Sequence, residues 1–252
     1  MKNIPNFFTL LNLVFGCVAI IFILQTGETI VFTDTEGFVQ VRLPEKITWG
    51  ALFIFAAAIV DFLDGFVARL FKATSAMGKQ LDSLADVVSF GVAPGLILFQ
   101  LLRISFAQEE NGLDISIWWL LPALLIPCAA AWRLAKFNID ESQHFSFKGL
   151  PTPAAGITIA SFPLICWLQI LNMQTLLVNK WVLYAVIILL SALMVSTIQM
   201  LSLKFKDFSL KNNLSKIILL IFSTLAIVLL QWLAVPIILV GYVALSLIFK
   251  SK

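Results

Sequence analysis

Residues 49–70 read WGALFIFAAAIVDFLDGFVARL. Trp49–Val60 carries no charge, and the run then continues through Asp61, Asp64 and Arg69 to about Leu70. Twenty or so mostly apolar residues at ~1.5 Å each are what a helix needs to cross a bilayer. This stretch therefore reads as a membrane helix with two carboxylates set into one end.

The rest of the chain repeats the apolar theme. Of 252 residues, 60% are hydrophobic and 12% charged, against about 45–50% and 25% in soluble domains. That composition excludes a soluble domain, a disordered tail and a basic nucleic-acid-binding face, so no nucleic-acid partner is expected. Further uncharged runs cover Phe7–Leu24, Leu81–Leu102 (with acids near its start), Ile115–Trp132, Leu150–Leu171 and Trp181–Leu203. Ile217–Phe249 holds 33 uncharged residues, enough for ~50 Å of helix against a ~30 Å hydrocarbon core. Gln231, Trp232 and Pro236 offer a break there. The expected fold is an all-α integral membrane bundle of about eight transmembrane helices in a single membrane domain, 1–252. No alternation of polar and apolar residues supports a β-barrel. Phe7–Leu24 lacks a cleavage site and is read as a mature helix. Cys17, Cys128 and Cys166 all lie in apolar runs, so no disulfide framework is implied.

Lys and Arg set sidedness. With the N-terminus inside, thirteen of the 17 basic residues fall on inside segments, leaving Arg42, Lys46, Arg103 and Lys180 outside. The outside segments also carry Glu28, Asp34, Glu36, Glu45, Glu109, Glu110 and Asp114. Both termini are thus expected in the cytoplasm of a multi-pass protein of a bacterial or archaeal-type cell membrane.

Four acids remain within or at the ends of spans: Asp61, Asp64, Asp82 and Asp86. An intramembrane carboxylate is costly unless partnered and is a functional candidate by default. Asp61 and Asp64 share a helix face at i,i+3, and Asp82 and Asp86 share one at i,i+4. A short connection joins the two helices, so they should be antiparallel neighbours with these faces meeting near the cytoplasmic side. Four facing carboxylates repel unless their protonation changes or a cation sits among them. Hard divalent cations take carboxylate oxygens together with substrate phosphates, and paired ions serve displacement at phosphorus. Small Gly65 and Ala68 would let a ligand approach the backbone, and Arg69 suits phosphate. Gly78, Thr74 and Ser75 lie in the connection.

As a pattern, residues 61–86 read D-x2-D-G-x2-A-R-x8-G-x3-D-x3-D, fixed at Asp61, Asp64, Gly65, Ala68, Arg69, Gly78, Asp82 and Asp86. This resembles the signature of the CDP-alcohol phosphotransferase family at all eight positions. The flanking text resembles the family's phosphatidylserine synthase branch: Ile4–Asn12, Asp82–Pro94, Arg133–Asn138 and Phe147–Ala155. The likeness covers a catalytic core at 1–155, with additional transmembrane helices at 156–252.

The resemblance implies a membrane-bound homodimer whose cytoplasmic site displaces CMP from CDP-diacylglycerol with L-serine. It implies two divalent cations, Mg²⁺ or Mn²⁺, on Asp61, Asp64 and Asp82, with Asp86 touching one and also accepting the serine hydroxyl proton. It places the CDP-lipid among Gly65, Ala68, Arg69, Ser75, Gly78, Asn6, Thr9 and Asn12. Arg133, Asn138 and Ser89 are candidates for holding serine, while Lys136 reads as positive-inside anchoring. His144 reads as a solvated loop residue. The tryptophans near span ends read as interface anchors, and Pro151, Pro153 and Pro163 as shaping a helix. Glycerol 3-phosphate or inositol are alternative acceptors. A cation transporter is the rival from another class, though residues 104–252 hold no second acidic pattern.

Overall fold

A computed structural model of the chain describes residues 4–25, 31–33, 39–41, 43–70, 75–109, 112–140, 147–201 and 213–249. Helix α1 (Ile4–Leu24) packs lengthwise on α2 (Glu45–Leu70). Between them a short antiparallel ribbon, β1 (Val31–Thr33) and β2 (Val39–Val41), sets Val31 opposite Val41. Ser75 starts α3 (Ala76–Asp86): its side chain accepts the Gly78 N–H at 2.9 Å, filling one of the donors a helix N-terminus leaves unmet. A π-helical stretch, Val87–Val92, carries α3 into α4 (Ala93–Ala107), making one apolar rod from Ala76 to Ala107.

Single 3₁₀ turns then lead to α5 (Leu125–Ile139). Strand β3 (Phe147–Lys148) precedes α6 (Thr152–Trp167), the one-turn α7 (Gln174–Leu177) and α8 (Lys180–Val195). Strand β4 (Gln199–Met200) pairs back on β3 with Phe147 opposite Met200. Helices α9 (Leu214–Leu230) and α10 (Ala234–Ile248) follow.

Among the described residues four helical stretches are long and apolar enough to cross a membrane: Asn6–Leu24, Glu45–Val67, Ala76–Ala107 and Leu214–Ile248. Thr152–Trp167 and Lys180–Val195 are shorter apolar helices. The Ala76–Ala107 rod is the centre and the most enclosed of the four, and Leu214–Ile248 is the least. Ala93, Ile97, Leu98, Leu101 and Leu102 are fully enclosed. Outward faces are greasy: Phe7, Val14 and Ile21 on α1, Phe62 and Phe66 on α2, and Val228 and Leu229 on α9 are exposed. Thr9, Asn12, Asp64, Asp86, Ser89 and Arg133 are buried. Apolar outside and polar inside suits a chain whose solvent is lipid. Small residues let the helices close up. A Cβ on Gly156 of α6 would come within 2.9 Å of the Phe90 backbone, and one on Gly95 within 2.9 Å of Pro127.

Several boundaries differ from the sequence reading. The third helix begins at Ala76, not Leu81, because Ser75 caps it. The expected span Ile115–Trp132 is 3₁₀ turns up to Leu124, with Pro122 at a turn start, and α5 then runs on to Ile139. The fifth helix stops at Trp167, where Gln169 takes φ 51°. The sixth ends at Val195, as Ser196 turns extended. The expected break in 217–249 is present: Gln231 adopts φ 50°, and a 3₁₀ turn separates α9 from α10. Phe222 of α9 lies against Gly241 of α10, so the chain doubles back.

Contacts sort the helix ends into two groups. Asp64–Thr9, Asn12–Asp86, Arg133–Thr152 and the β3–β4 pairing gather the first half of α1, the ends of α2 and α3, the start of α6, and the ends of α5 and α8. Gln100 to Ile23, Tyr184 to Trp119 and the Lys180–Glu109 ion pair tie the opposite end.

Candidate active site

The acidic pattern folds as its spacing predicts. One turn apart on α3, Asp82 and Asp86 face Asp61 of α2, and carboxylate oxygens of the three lie within 4.8 Å of one another. Asp64 is close enough to Asp61 and Asp82 for their charges to interact. Its carboxylate accepts the Thr9 hydroxyl of α1. Asn12, three residues further along α1, donates its side-chain amide to Asp86 Oδ1 at 3.3 Å. Ser89, in the π-helical stretch, donates to the Asn12 backbone carbonyl at 3.1 Å and fixes the height of α1 against α3.

Hard cations favour this donor set: three clustered carboxylates on two packed helices, with a fourth beside them. Asn12 Oδ1 is fully buried without a protein partner, an unmet acceptor next to the acids. The residues present therefore fit a divalent cation. Nothing else described beside these acids offsets so much negative charge except Arg133, whose guanidinium interacts with Asp86.

Around the acids the remaining expected residues take distinct places. A Cβ on Gly65 would meet nothing within 4 Å, so the α2 backbone is open there. Exposed Arg69 folds back one turn, its Nε donating to the Gly65 carbonyl at 2.8 Å. Gly78 is hemmed by Ser75 Oγ and Asn6 Oδ1, 3.0 and 3.2 Å from where its Cβ would sit. Ala68 is placed only as a position on α2, and Thr74 and His144 lie outside the described residues. Thr9 and Asn12 are buried and turned onto Asp64 and Asp86.

The candidates for holding serine separate. Arg133 lines a cleft between α5 and α8. Asn138 instead donates to Ser83 Oγ at 2.8 Å, while Lys79 reaches its carbonyl at 3.3 Å. Ser89 is engaged by α1. The structure adds Lys148 and the end of α8 to Arg133's surroundings. No sequence spacing signals that juxtaposition, since 147–150 and 193–200 are far apart in the chain.

A match to the CDP-alcohol phosphatidyltransferase family covers residues 2–198. The chain belongs to that family. Its similarity to a CDP-diacylglycerol–serine O-phosphatidyltransferase of Bacillus subtilis (strain 168) is 37% identity over 55% of this chain and 76% of the relative. With a Helicobacter pylori (strain ATCC 700392 / 26695) protein of the same name it is 37% over 69% and 68%. An archaetidylserine synthase of Methanothermobacter thermautotrophicus is 33% identical over 51% and 52%. The family and branch read from residues 4–155 are borne out. Family membership does not favour the transporter reading. The chain is a membrane transferase of phospholipid biosynthesis by kinship, with an acidic cluster where the family signature lies.

Proposed function

We propose that the protein transfers the phosphatidyl group of CDP-diacylglycerol to the hydroxyl of L-serine, giving phosphatidylserine and CMP. The observation that carries this reading is the convergence of Asp61, Asp82 and Asp86 within 4.8 Å, in a chain whose relatives bear the serine transferase name. Asp61, Asp64, Asp82 and Asp86 would hold two divalent cations, Mg²⁺ or Mn²⁺. Bound there, the cations supply positive charge against the diphosphate and the departing CMP.

The chain's own residues do the rest. Asp86 takes the proton of the serine hydroxyl at a carboxylate oxygen, since a free alcohol is a weak nucleophile at neutral pH. The new bond joins the serine oxygen to the phosphorus that carries diacylglycerol. The bond from that phosphorus to the CMP oxygen breaks, and its electron pair leaves with CMP. No residue nucleophile is required. Asn12 and Thr9 act as positioning residues: Asn12 orients Asp86 by occupying Oδ1, and Thr9 holds Asp64. Open backbone at Gly65, together with Gly78, Ser75, Asn6 and Ala68, receives the nucleotide, and Arg69 swings to its phosphates. Lipid tails remain in the bilayer against the apolar faces of α1 and α2.

In this reading α1, α2, the Ala76–Ala107 rod, α5, α6, α8, α9 and α10 cross the membrane in alternation. The aspartate end, where α1 begins and α10 ends, faces the cytoplasm, and two copies form a homodimer. The test is an acceptor panel on the purified protein. With CDP-diacylglycerol and Mg²⁺ or Mn²⁺, L-serine is expected to yield phosphatidylserine, while glycerol 3-phosphate and inositol yield nothing comparable. Turnover with another alcohol and none with serine would end the serine assignment and keep the family.

A further inference from the structure

Helix α10 is apolar but for two hydroxyls, Tyr242 and Ser246, one turn apart and both buried. A helix that only anchors the chain in lipid has no use for buried polar groups on one face, so these two call for a partner. They share one. Ser246 Oγ accepts the Leu201 N–H at 3.0 Å, and Tyr242 Oη donates to the Leu201 carbonyl at 3.1 Å. Ser246 in turn donates to the Tyr242 carbonyl at 2.7 Å, which orients its hydroxyl. Leu201 is buried one residue past the described rungs of the β3–β4 pairing. Irregular backbone buried in a membrane protein needs partners from its surroundings, and α10 supplies both bonds.

What this clasp holds leads toward the aspartates. Just past β3, the Gly149 N–H donates to the Ile198 carbonyl at 2.8 Å and the Leu150 N–H to the Leu193 carbonyl at 2.9 Å. Gly149 takes φ 75°, and a Cβ there would fall 2.5 Å from the Met194 carbonyl oxygen, so only glycine lets this segment lie so close to the end of α8. Helix α6 starts at Thr152, whose Oγ1 accepts an Arg133 terminal N–H at 3.1 Å. Arg133, in a cleft wall with Lys136 and Lys148, offsets the charge of Asp86. Tyr242 itself lies within electrostatic range of Arg133. Two routes thus run from α10 to the acids, one through backbone pairing and one through Arg133 alone. Tyr242 and Ser246 both lie beyond residues 2–198, which match the family.

We propose that the α9–α10 hairpin belongs to the catalytic apparatus: Tyr242 and Ser246 are positioning residues that lock Leu201 and β4, and through the 147–150 segment and Thr152 they fix Arg133 against Asp86. The inference goes beyond the proposed transfer and rests on it. A displacement of about 1 Å in a reacting geometry can cost ~10²-fold in rate, so hydroxyls far along the chain from the acids still bear on turnover. The outer face of the hairpin, with Val228 and Leu229, is exposed and suits lipid, while its inner face works on the site. Contacts in series amount to energetic coupling only where their effects are non-additive.

The test uses purified full-length protein in detergent. It compares wild type, Tyr242→Phe, Ser246→Ala, Thr152→Ala and the Tyr242→Phe/Thr152→Ala double variant, with Thr224→Ala as control. Thr224 is exposed on α9 and its hydroxyl donates to its own helix at Leu220. Initial rates are taken with CDP-diacylglycerol, a divalent cation and whichever of L-serine, glycerol 3-phosphate and inositol the wild type uses. In Tyr242→Phe and in Ser246→Ala kcat is expected to fall about tenfold, with the KM for CDP-diacylglycerol unmoved and Thr224→Ala as wild type. The double variant should fall no further than the slower of its two singles. Hydrogen exchange in Ser246→Ala should rise at Gly149 and Leu150 as well as at Leu201. Should Tyr242→Phe fail to fold, Ser246→Ala with Thr152→Ala supplies the same cycle. Unmoved kcat, losses that multiply in the double variant, or faster exchange confined to Leu201 would each overturn the proposal, leaving the hydroxyls to hold α10 in place and nothing more. A wild type that turns over none of the three acceptors would instead overturn the transfer reading, and the positioning role with it.

Discussion

Asp86 stands out among the four aspartates because two of its neighbours are committed to placing it. Asn12 donates to Oδ1 from α1, and Arg133 offsets its charge from α5. In Asp86→Asn the amide keeps the shape and the acceptor at Oδ1, while the proton acceptor is gone. Turnover should fall by about 10²–10⁴-fold, the usual contribution of a positioned base. Binding of CDP-diacylglycerol and of a divalent cation, followed by titration calorimetry, should persist on Asp61, Asp64 and Asp82. Near-wild-type turnover would remove Asp86 from the base role. The acids were legible in the sequence because a bilayer tolerates so few charges that each one demands a reason. The roles of Thr9 and Asn12 were less legible. Their spacing on one face of α1 shows in the text, but whether they meet ligand or acid depends on how α1 sits on α2 and α3.

The elements that shape the site are held by close backbone approach. Gly156 brings α6 against Phe90 in the π-helical stretch that follows Asp86. Gly156→Val would force these two backbones apart. Overpacking of this kind typically destabilises by about 1–3 kcal/mol, and the melting temperature in detergent should fall accordingly. An unchanged melting temperature would show that the contact bears no strain when filled. Long helices were readable from hydropathy alone, and so was the break at Gln231, since a 33-residue uncharged run overshoots a bilayer. Helix ends were not, because caps and turns decide them. Ser75 moved one start outward, Pro122 accompanied 3₁₀ turns in place of half a span, and Gln169 ended α6 early. The pairing of 147–148 with 199–200 was invisible, because two-residue strands leave no periodic trace.

At the scale of the whole molecule, the acidic cluster and the basic cleft gather at one end of the bundle, while the Lys180–Glu109 ion pair ties the other. The aspartate end takes in the start of α1, the end of α2 and α3; α2 and α3 carry the acids. It also takes in the ends of α5 and α8, which carry the basic cleft. The bias of Lys and Arg in the sequence falls on the same segments, consistent with our proposal that this end faces the cytoplasm, where serine and CMP are soluble. In our proposal the aspartates hold divalent cations against a diphosphate. The most direct measurement is CMP release by the purified protein from CDP-diacylglycerol, with and without L-serine, and with and without chelator. We predict release that requires both serine and a divalent cation, matches phosphatidylserine formed mole for mole, stops in chelator and returns when Mg²⁺ or Mn²⁺ is restored. Steady serine-dependent CMP release from metal-stripped protein in chelator would contradict the account at its root.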